Sequence, residues 1–281
     1  MSSEKDRIVD FIRDSVEKYD FKGAVIGISG GIDSAVVGKL LTEALGRHRV
    51  YGLLLPERDS SKGTIADSVL VSDFLKIDYA IKPITPLVRR LGVYRMKPPA
   101  GIFPRRIHER YTESAWNSTD KPYINDLKTS GGAENRKNLA YYRTKHRLRM
   151  VRMYFEAEKR GYAVAGTTNL TEMLTGFYIK WGDDSSDIEP IIHLYKTEVY
   201  KLAEEIGILR KIIEKQPSPD IAPGITDEYA LGISYEKLDR ILEKLQNNTP
   251  LPEERSEDVL KVKEIMKAAE FRNLRNLSLV R

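Results

Sequence analysis

One stretch limits what this chain can fold into more than any other. The apolar run Ala24-Val25-Ile26-Gly27-Ile28 stops at Ser29-Gly30-Gly31-Ile32-Asp33-Ser34. Val36, Val37, Leu40, Leu41, Ala44 and Leu45 then recur at helical spacing. The pattern is a buried strand, a glycine-rich turn and a helix with no linker between them. Backbone N–H groups at the start of such a helix lack partners, and small residues leave them uncovered, so a phosphate or pyrophosphate can sit there. Asp33 cannot hold phosphate itself, because like charges repel. Its natural partner is a divalent cation that the phosphates share. The turn is not a Walker A loop, which ends in Gly-Lys-Ser/Thr, and it lacks the third glycine of a dinucleotide-binding turn.

The rest of the chain repeats strand and helix. A helix is expected over residues 4–18, with Ile8, Phe11, Ile12 and Val16 on one face. Strands follow at 23–28, 49–55, 79–84 and 162–165, separated by helices that end near Leu45, span 64–75 and span 136–160. Such alternation implies an α/β fold, a doubly wound parallel sheet flanked by helices. Its ligands bind beyond the carboxyl ends of the strands, where the loop Gly27–Ser34 lies. Helices at 194–206, 234–246 and 256–270 complete the chain. The length of 281 residues is read as a single domain, 1–281, with a helical C-terminal part at about 226–281. Residues 89–138 interrupt the rhythm. They carry Arg89, Arg90, Arg95, Lys97, Arg105, Arg106 and Arg110 with Phe103, Tyr111, Trp116 and Tyr123, and read as an inserted, lid-like segment with a basic, aromatic face.

Composition serves mainly to exclude. There is no cysteine, hence no disulfide, thiolate metal site or cysteine nucleophile in this chain. Lysine and arginine number 46 against 41 acidic residues, a small excess that suits polyanionic ligands. No apolar run reaches spanning length and no signal peptide is legible, so a cytoplasmic protein without a membrane partner is expected. No RNA-binding motif is recognisable, and no nucleic-acid partner is expected.

A second polar region follows the fourth strand. Gly166-Thr167-Thr168-Asn169 is another small turn at a strand end, and Glu172, Lys180, Asp183, Asp184 and Asp187 crowd behind it among Phe177, Tyr178, Ile179 and Trp181. His146, on the long helix, reads as a packed or surface histidine rather than a metal ligand, since no second ligand stands at ligand spacing.

Ser-Gly-Gly-x-Asp-Ser resembles the pyrophosphate-binding loop of the N-type ATP pyrophosphatases. Later motifs narrow the resemblance: Ala165-Gly166-Thr167-Thr168-Asn169-x-x-Glu172, Gly176 through Asp183, Asp187-Ile188-x-Pro190-Ile191, Leu194-Tyr195-Lys196-Thr197-Glu198-Val199, Pro217-Ser218-Pro219-Asp220, Thr226-Asp227-Glu228 and Leu231-Gly232-Ile233-Ser234-Tyr235. In this order they look very like ammonia-dependent NAD synthetase, over about residues 1–85 and 140–245. That resemblance implies an adenine nucleotide alpha hydrolase-like fold. It also implies ATP-dependent amidation of nicotinate adenine dinucleotide (deamido-NAD) by ammonia, through an acyl-adenylate with release of AMP and pyrophosphate. ATP would be a co-substrate, Mg²⁺ the cofactor and a homodimer the assembly. Gly27, Ile28, Ser29, Gly30, Gly31, Ile32, Asp33 and Ser34 would cradle the phosphates, with Thr167, Lys196 and Ser218 also on ATP. Asp33 and Glu172 would share the metal, and Arg147, Lys180 and Asp187 would contact deamido-NAD. Asp183 matches the position of the incoming ammonium, so Asp33, Asp183 and Lys196 form the expected catalytic set. The chain departs from the family where Arg143 replaces the usual Asn, Pro219 an alanine and Phe271-Arg272 a His-Lys pair. Two alternatives stay open on the sequence: an amide ligase of the same superfamily acting on a different carboxylate, and a nucleic-acid-modifying ATP pyrophosphatase.

Overall fold

A computed structural model describes residues 3–99, 121–130, 132–217, 226–251, 255–274 and 279. Four parallel strands, β1 (Ala24–Gly27), β2 (Val50–Leu54), β3 (Asp78–Ile81) and β4 (Ala163–Ala165), lie in the order β3-β2-β1-β4. β1 pairs with β2 from Ala24↔Val50 and with β4 from Ala24↔Ala163. The sheet therefore reverses direction of growth between β1 and β4. Loops leaving adjacent strands there diverge and open a crevice.

Alternation along β1 explains why it is buried on both sides. Ala24 and Ile26 face a core built with Ile8, Ile12 and Val16 of α1 (Glu4–Lys18), Val36 and Leu40 of α2 (Ile32–Leu45), and Val71 of α3 (Lys62–Leu75). Val25, with Leu53 and Val164, faces Met150, Met153 and Ala157 on the opposite side of the sheet. Each such fully buried aliphatic side chain contributes about 1.5–3 kcal/mol. In α1 the buried stripe is narrower than the sequence suggests. Ile8, Ile12 and Val16, each four residues apart, meet α2, and Phe11 at the stripe's edge is 46% exposed.

The irregular stretch after β3 is more structured than its weak periodicity implies. It opens with α4 (Thr85–Arg90) and a 3₁₀ turn at Val93–Arg95, and closes with α5 (Pro122–Leu127). The middle of the expected lid, residues 100–120 with Arg105, Arg106, Arg110, Phe103, Tyr111 and Trp116, lies outside the described residues. Tyr123 does not belong to an exposed aromatic face. It is buried, packs on Phe177 with ring centroids 5.6 Å apart, and donates its hydroxyl to Thr175 O at 2.9 Å. The next helix, α6 (Ala133–Glu158), begins three residues earlier than its sequence pattern and crosses the sheet.

Behind the crevice, α5 packs with α10 (Asp227–Leu231), α11 (Tyr235–Gln246) and α12 (Ser256–Asn273) around Leu238, Ile241, Val262 and Ala269. Asp239 ties this layer to the sheet domain. It accepts Thr171 Oγ1 at 2.5 Å from α7 (Leu170–Thr175) and the Thr197 amide at 2.8 Å from α8 (Lys196–Glu205). α9 (Arg210–Ile213) continues the main core through Ile212.

A buried ionic network anchors α6 to the loop after β2. Lys145 Nζ lies 3.0 Å from both Glu57 Oε1 and Asp59 Oδ2, Tyr141 donates to Asp59 Oδ2 at 2.6 Å, and Tyr94 donates to Glu57 Oε2 at 2.7 Å. Lys145 is 7% exposed, so removing its charge takes the cation from Glu57 in a poorly solvated place, while Asp59 keeps Arg58 at 2.9 Å. Lys145→Met should lower the free energy of unfolding by about 3 kcal/mol. Arg210→Ala, which breaks the solvent-exposed pair with Glu214, should leave the urea midpoint almost unchanged. Equal, small losses in urea denaturation would show that the network is no anchor.

Candidate active site

The first loop of the site is held by its own serines. Ile28 leaves β1 with its amide on Leu53 O at 3.0 Å. Ser34 Oγ donates to Gly31 O at 3.0 Å and lies 3.1 Å from Ser29 Oγ, while the Gly31 amide donates to Ser29 Oγ at 3.2 Å. Gly30 is in the left-handed region at φ +73°, and a Cβ there would stand 2.8 Å from Asp67 Cβ and 2.9 Å from Ser68 N. Only glycine fits so close to α3. α2 starts after Gly31 with no side-chain cap, so its first amides point into the crevice unclaimed. Lys215 lies over the turn, donating to Gly30 O at 3.1 Å and pairing with Asp67 at 2.9 Å.

The second loop leaves β4 and meets the first through Asn169. Its side chain accepts the Glu172 amide at 3.0 Å, capping α7, and donates to Asp33 Oδ1 at 3.1 Å. Glu172 returns the capping contact by accepting the Asn169 amide at 3.3 Å. Glu189 supports the same loop from beneath: Ser186 Oγ donates to it at 2.6 Å and the Thr168 amide at 3.2 Å. Burial pushes the Glu189 carboxyl up to about 8, so at neutral pH it is largely protonated.

Lys196 joins the two loops. It opens α8, is 1% exposed, and places Nζ 2.5 Å from Asp33 Oδ2 and 3.7 Å from Glu172 Oε1. Burial opposes its charge, but the carboxylates of Asp33 and Glu172 outweigh burial and hold it above the usual lysine value. Burial, with Asp33 adding repulsion, drives Glu172 well above the usual carboxylate range. Asp227 stands nearby. Tyr235 donates to its Oδ2 at 2.9 Å, its Oδ1 has no hydrogen-bond partner among the described residues, and burial raises it to about 6.

These groups line a cavity of about 410 Å³. Of the residues expected on ATP or metal, Gly27, Ile28, Ser29, Gly31, Ile32, Asp33, Ser34, Thr167, Glu172 and Lys196 line it, and so does Asp183. Gly30 shapes the turn against α3, and Ser218 and Pro219 lie outside the described residues. Arg147, Lys180 and Asp187 are not in the cavity wall. Arg147 Nε donates to Lys180 O at 3.2 Å, and Lys180 caps the end of α12 through Phe271 O at 3.2 Å and through Leu274 O. Asp187 accepts the Val164 amide at 2.7 Å and the Tyr154 hydroxyl at 3.2 Å. The structure thus brings the nucleotide set together and leaves the expected dinucleotide set on its flank.

Several cavity residues were not legible as such in the sequence. Lys215, Asp227, Arg149 and His146 all line it. So does Arg272, which is buried and donates to Gly176 O at 2.5 Å, Tyr178 O at 2.7 Å and Asp126 Oδ2 at 2.7 Å. Arg143 joins it on Asp126, donating to the backbone carbonyl at 2.6 Å, so two of the three departures from the family pattern converge on one aspartate. The motif Thr226-Asp227-Glu228 is a signal for Asp227, and the Phe271-Arg272 departure is one for Arg272; no signal places Lys215 or His146 in the site.

Among the described residues no cluster of three or more His, Cys, Asp or Glu forms a ready metal site. Asp33 and Glu172 do already surround one positive charge. Two carboxylates completed by phosphate oxygens and water are a donor set that suits Mg²⁺, so the residues fit that ion.

Among the described residues no helix is long and apolar enough to cross a membrane. The fold has close counterparts. An NMN synthetase structure from Francisella tularensis superposes with a TM-score of 0.72 at 23% identity, covering 99% of this chain and 97% of that one. An NH3-dependent NAD synthetase from Campylobacter jejuni superposes with a TM-score of 0.70 at 24% identity, covering 98% and 97%. In sequence, the NH(3)-dependent NAD(+) synthetase of Thermotoga neapolitana is 52% identical over 267 residues, which is 95% of this chain and 92% of that protein. The synthetase of the same name from Methanocaldococcus jannaschii is 37% identical over 88% of this chain and 82% of that protein. The NAD synthase family model matches residues 4–100 and 105–276, and with relatives of this identity along nearly its whole length the chain belongs to the NAD synthase family.

Proposed function

We propose that this protein forms NAD from deamido-NAD, ATP and ammonia, passing through an acyl-adenylate. The observation that carries the reading is the Asp33–Lys196–Glu172 constellation at the point where the sheet order reverses, beside an uncapped helix start. Relatives of 52% identity that bear the name NH(3)-dependent NAD(+) synthetase supply the substrates.

A carboxylate is a poor electrophile at neutral pH. Attack by its oxygen on the α-phosphorus of ATP converts it into a mixed anhydride and releases pyrophosphate. Ammonia then attacks the acyl carbon and AMP leaves. The chain's task is alignment, charge neutralisation and exclusion of water. The first amides of α2 and Thr167 hold the phosphates, and the family's pattern assigns Ser218 to them. The Lys196 ammonium offsets the charge that develops on the leaving pyrophosphate. Mg²⁺, held by Asp33 and Glu172 with phosphate oxygens, would supply further neutralisation when bound. Asp183 localises the ammonium. Arg147 and Lys180 carry the charge that would meet the dinucleotide's own phosphates, Asp187 belongs to the same expected set and, on the family's pattern, a second protomer completes the site.

Production of AMP with ATP, magnesium and ammonium present, with and without deamido-NAD, tests the reading; no dependence on deamido-NAD would end it. Asp33→Asn should lower kcat by about 10²-fold or more with an unchanged circular dichroism spectrum. Near-normal turnover would remove Asp33 from the metal site. Glu189 gives a pH prediction. Its folded value, about 8, lies above the ordinary 4.5, so the stability it lends is complete below the ordinary value and is lost as pH rises toward 8. Glu189→Gln keeps both hydrogen-bonded neighbours. It should match the parent in Tm near pH 5 and exceed it above pH 8; an unchanged difference across that range would mean the carboxyl is not protonated in the folded protein.

A further inference from the structure

The imidazole of His146 has no role in the chemistry described so far, yet it lies in the cavity wall. It projects from α6 toward the loop that carries Asp183. Gly182 makes that approach possible, since a Cβ there would stand 3.2 Å from His146 Cβ and 2.9 Å from Ile179 O. Nδ1 of His146 lies 3.6 Å from Asp183 Oδ1, in contact but beyond hydrogen-bond reach. The Ile179 amide donates to the same oxygen at 2.9 Å and fixes the carboxylate's orientation.

The cavity's other carboxylates are taken. Asp33 and Glu172 lie on Lys196, Asp126 on Arg143 and Arg272, and Asp227 is deeply buried under Tyr235. Asp183, whose side chain is 44% exposed, has no lysine or arginine within 4 Å among the described residues. It is the cavity's open anionic spot, and the one histidine among the described residues lining the cavity stands beside it.

Ammonia at neutral pH is almost entirely ammonium, which has no lone pair to attack with. A carboxylate attracts ammonium but is a feeble base, with an ordinary pKa of about 3.9 against about 6.5 for imidazole. A base matched to the working pH is the better acceptor. We propose that His146 is the general base that deprotonates the ammonium ion held at Asp183, a role that rests on the amide-ligase reading above. An N–H bond of ammonium breaks, its electron pair stays on nitrogen, and the proton passes to unprotonated Nδ1. The nitrogen pair forms the C–N bond to the acyl carbon. The C–O bond to the adenylate breaks with its pair going to AMP, and the second proton released leaves with the AMP phosphate or to water. Asp183 faces the imidazole directly with Asp184 beside it on the loop, Tyr142 and Arg149 stand about one turn away on its own helix, and Asp126 of α5, Tyr178 and Arg272 of α12 share the cavity lining with it.

The test uses the full chain with His146→Gln and His146→Ala. Two rates are compared: amide formation against ammonium concentration from about pH 6.5 to about pH 9, and pyrophosphate–ATP exchange driven by deamido-NAD without ammonia. The expected result is a loss of about 10²-fold in kcat/KM for ammonium near neutral pH in both variants. That loss should shrink as pH rises and free ammonia accumulates, exchange should stay within about twofold, and added imidazole should restore the alanine variant. Wild-type ammonium dependence at every pH overturns the proposal. So does a loss that is constant with pH and shared by the exchange reaction, which would mark His146 as structural. Absence of deamido-NAD-driven exchange in the unaltered protein would instead remove the amide-ligase reading, and the role of His146 with it.

Discussion

A single buried ammonium organises this site. Lys196 is 1% exposed and cannot shed its charge beside two carboxylates, so the protein must keep a partner on it. The partners come from different places. Asp33 opens α2 after β1, and Glu172 belongs to α7 after β4. The ion pair therefore holds together the two loops that the parallel sheet sends in opposite directions. Asn169, bonded to both Asp33 and Glu172, does the same with neutral groups.

The same arrangement dictates what can bind. Asp33, Glu172 and Asp227 set three carboxyl groups around the one Lys196 ammonium, and Lys215 is already committed to Asp67 and Gly30 O. A bare triphosphate entering beside the α2 amides meets carboxylates as well as donors. It is accommodated only if a cation comes with it, which is the physical case for a nucleotide bound together with a divalent ion. Elsewhere in the cavity the balance differs. Arg143 and Arg272 neutralise Asp126, leaving Asp183 open beside His146. One cavity is thus lined by one group of residues suited to polyanions with their cation and another suited to a small cation.

What was legible in the sequence depended on range. The β1 turn, the four strands and the main helices follow from period, glycine and caps within a few residues of each other. The glycine requirement at Gly30, by contrast, comes partly from α3, which no local pattern reveals. Phe11 and Tyr123 show how exposure escapes a periodic reading. The first sits at the edge of a narrow stripe, and the second enters a helical layer assembled from segments far apart in sequence. Asp33, Glu172 and Lys196 were identifiable through motif resemblance, and the fold brings them into contact. The Lys145 ion pairs and the Asp126–Arg272 pair were not, because each joins residues more than eighty positions apart with no motif to link them.

The central claim is that ATP is attacked at its α-phosphorus by the carboxylate to be amidated. Deamido-NAD labelled with ¹⁸O in its nicotinate carboxylate tests this directly. Mass spectrometry of the products should find one labelled oxygen in AMP, none in pyrophosphate and the remaining label in the new amide. Label in pyrophosphate or in inorganic phosphate, or unlabelled AMP from a productive turnover, would contradict it.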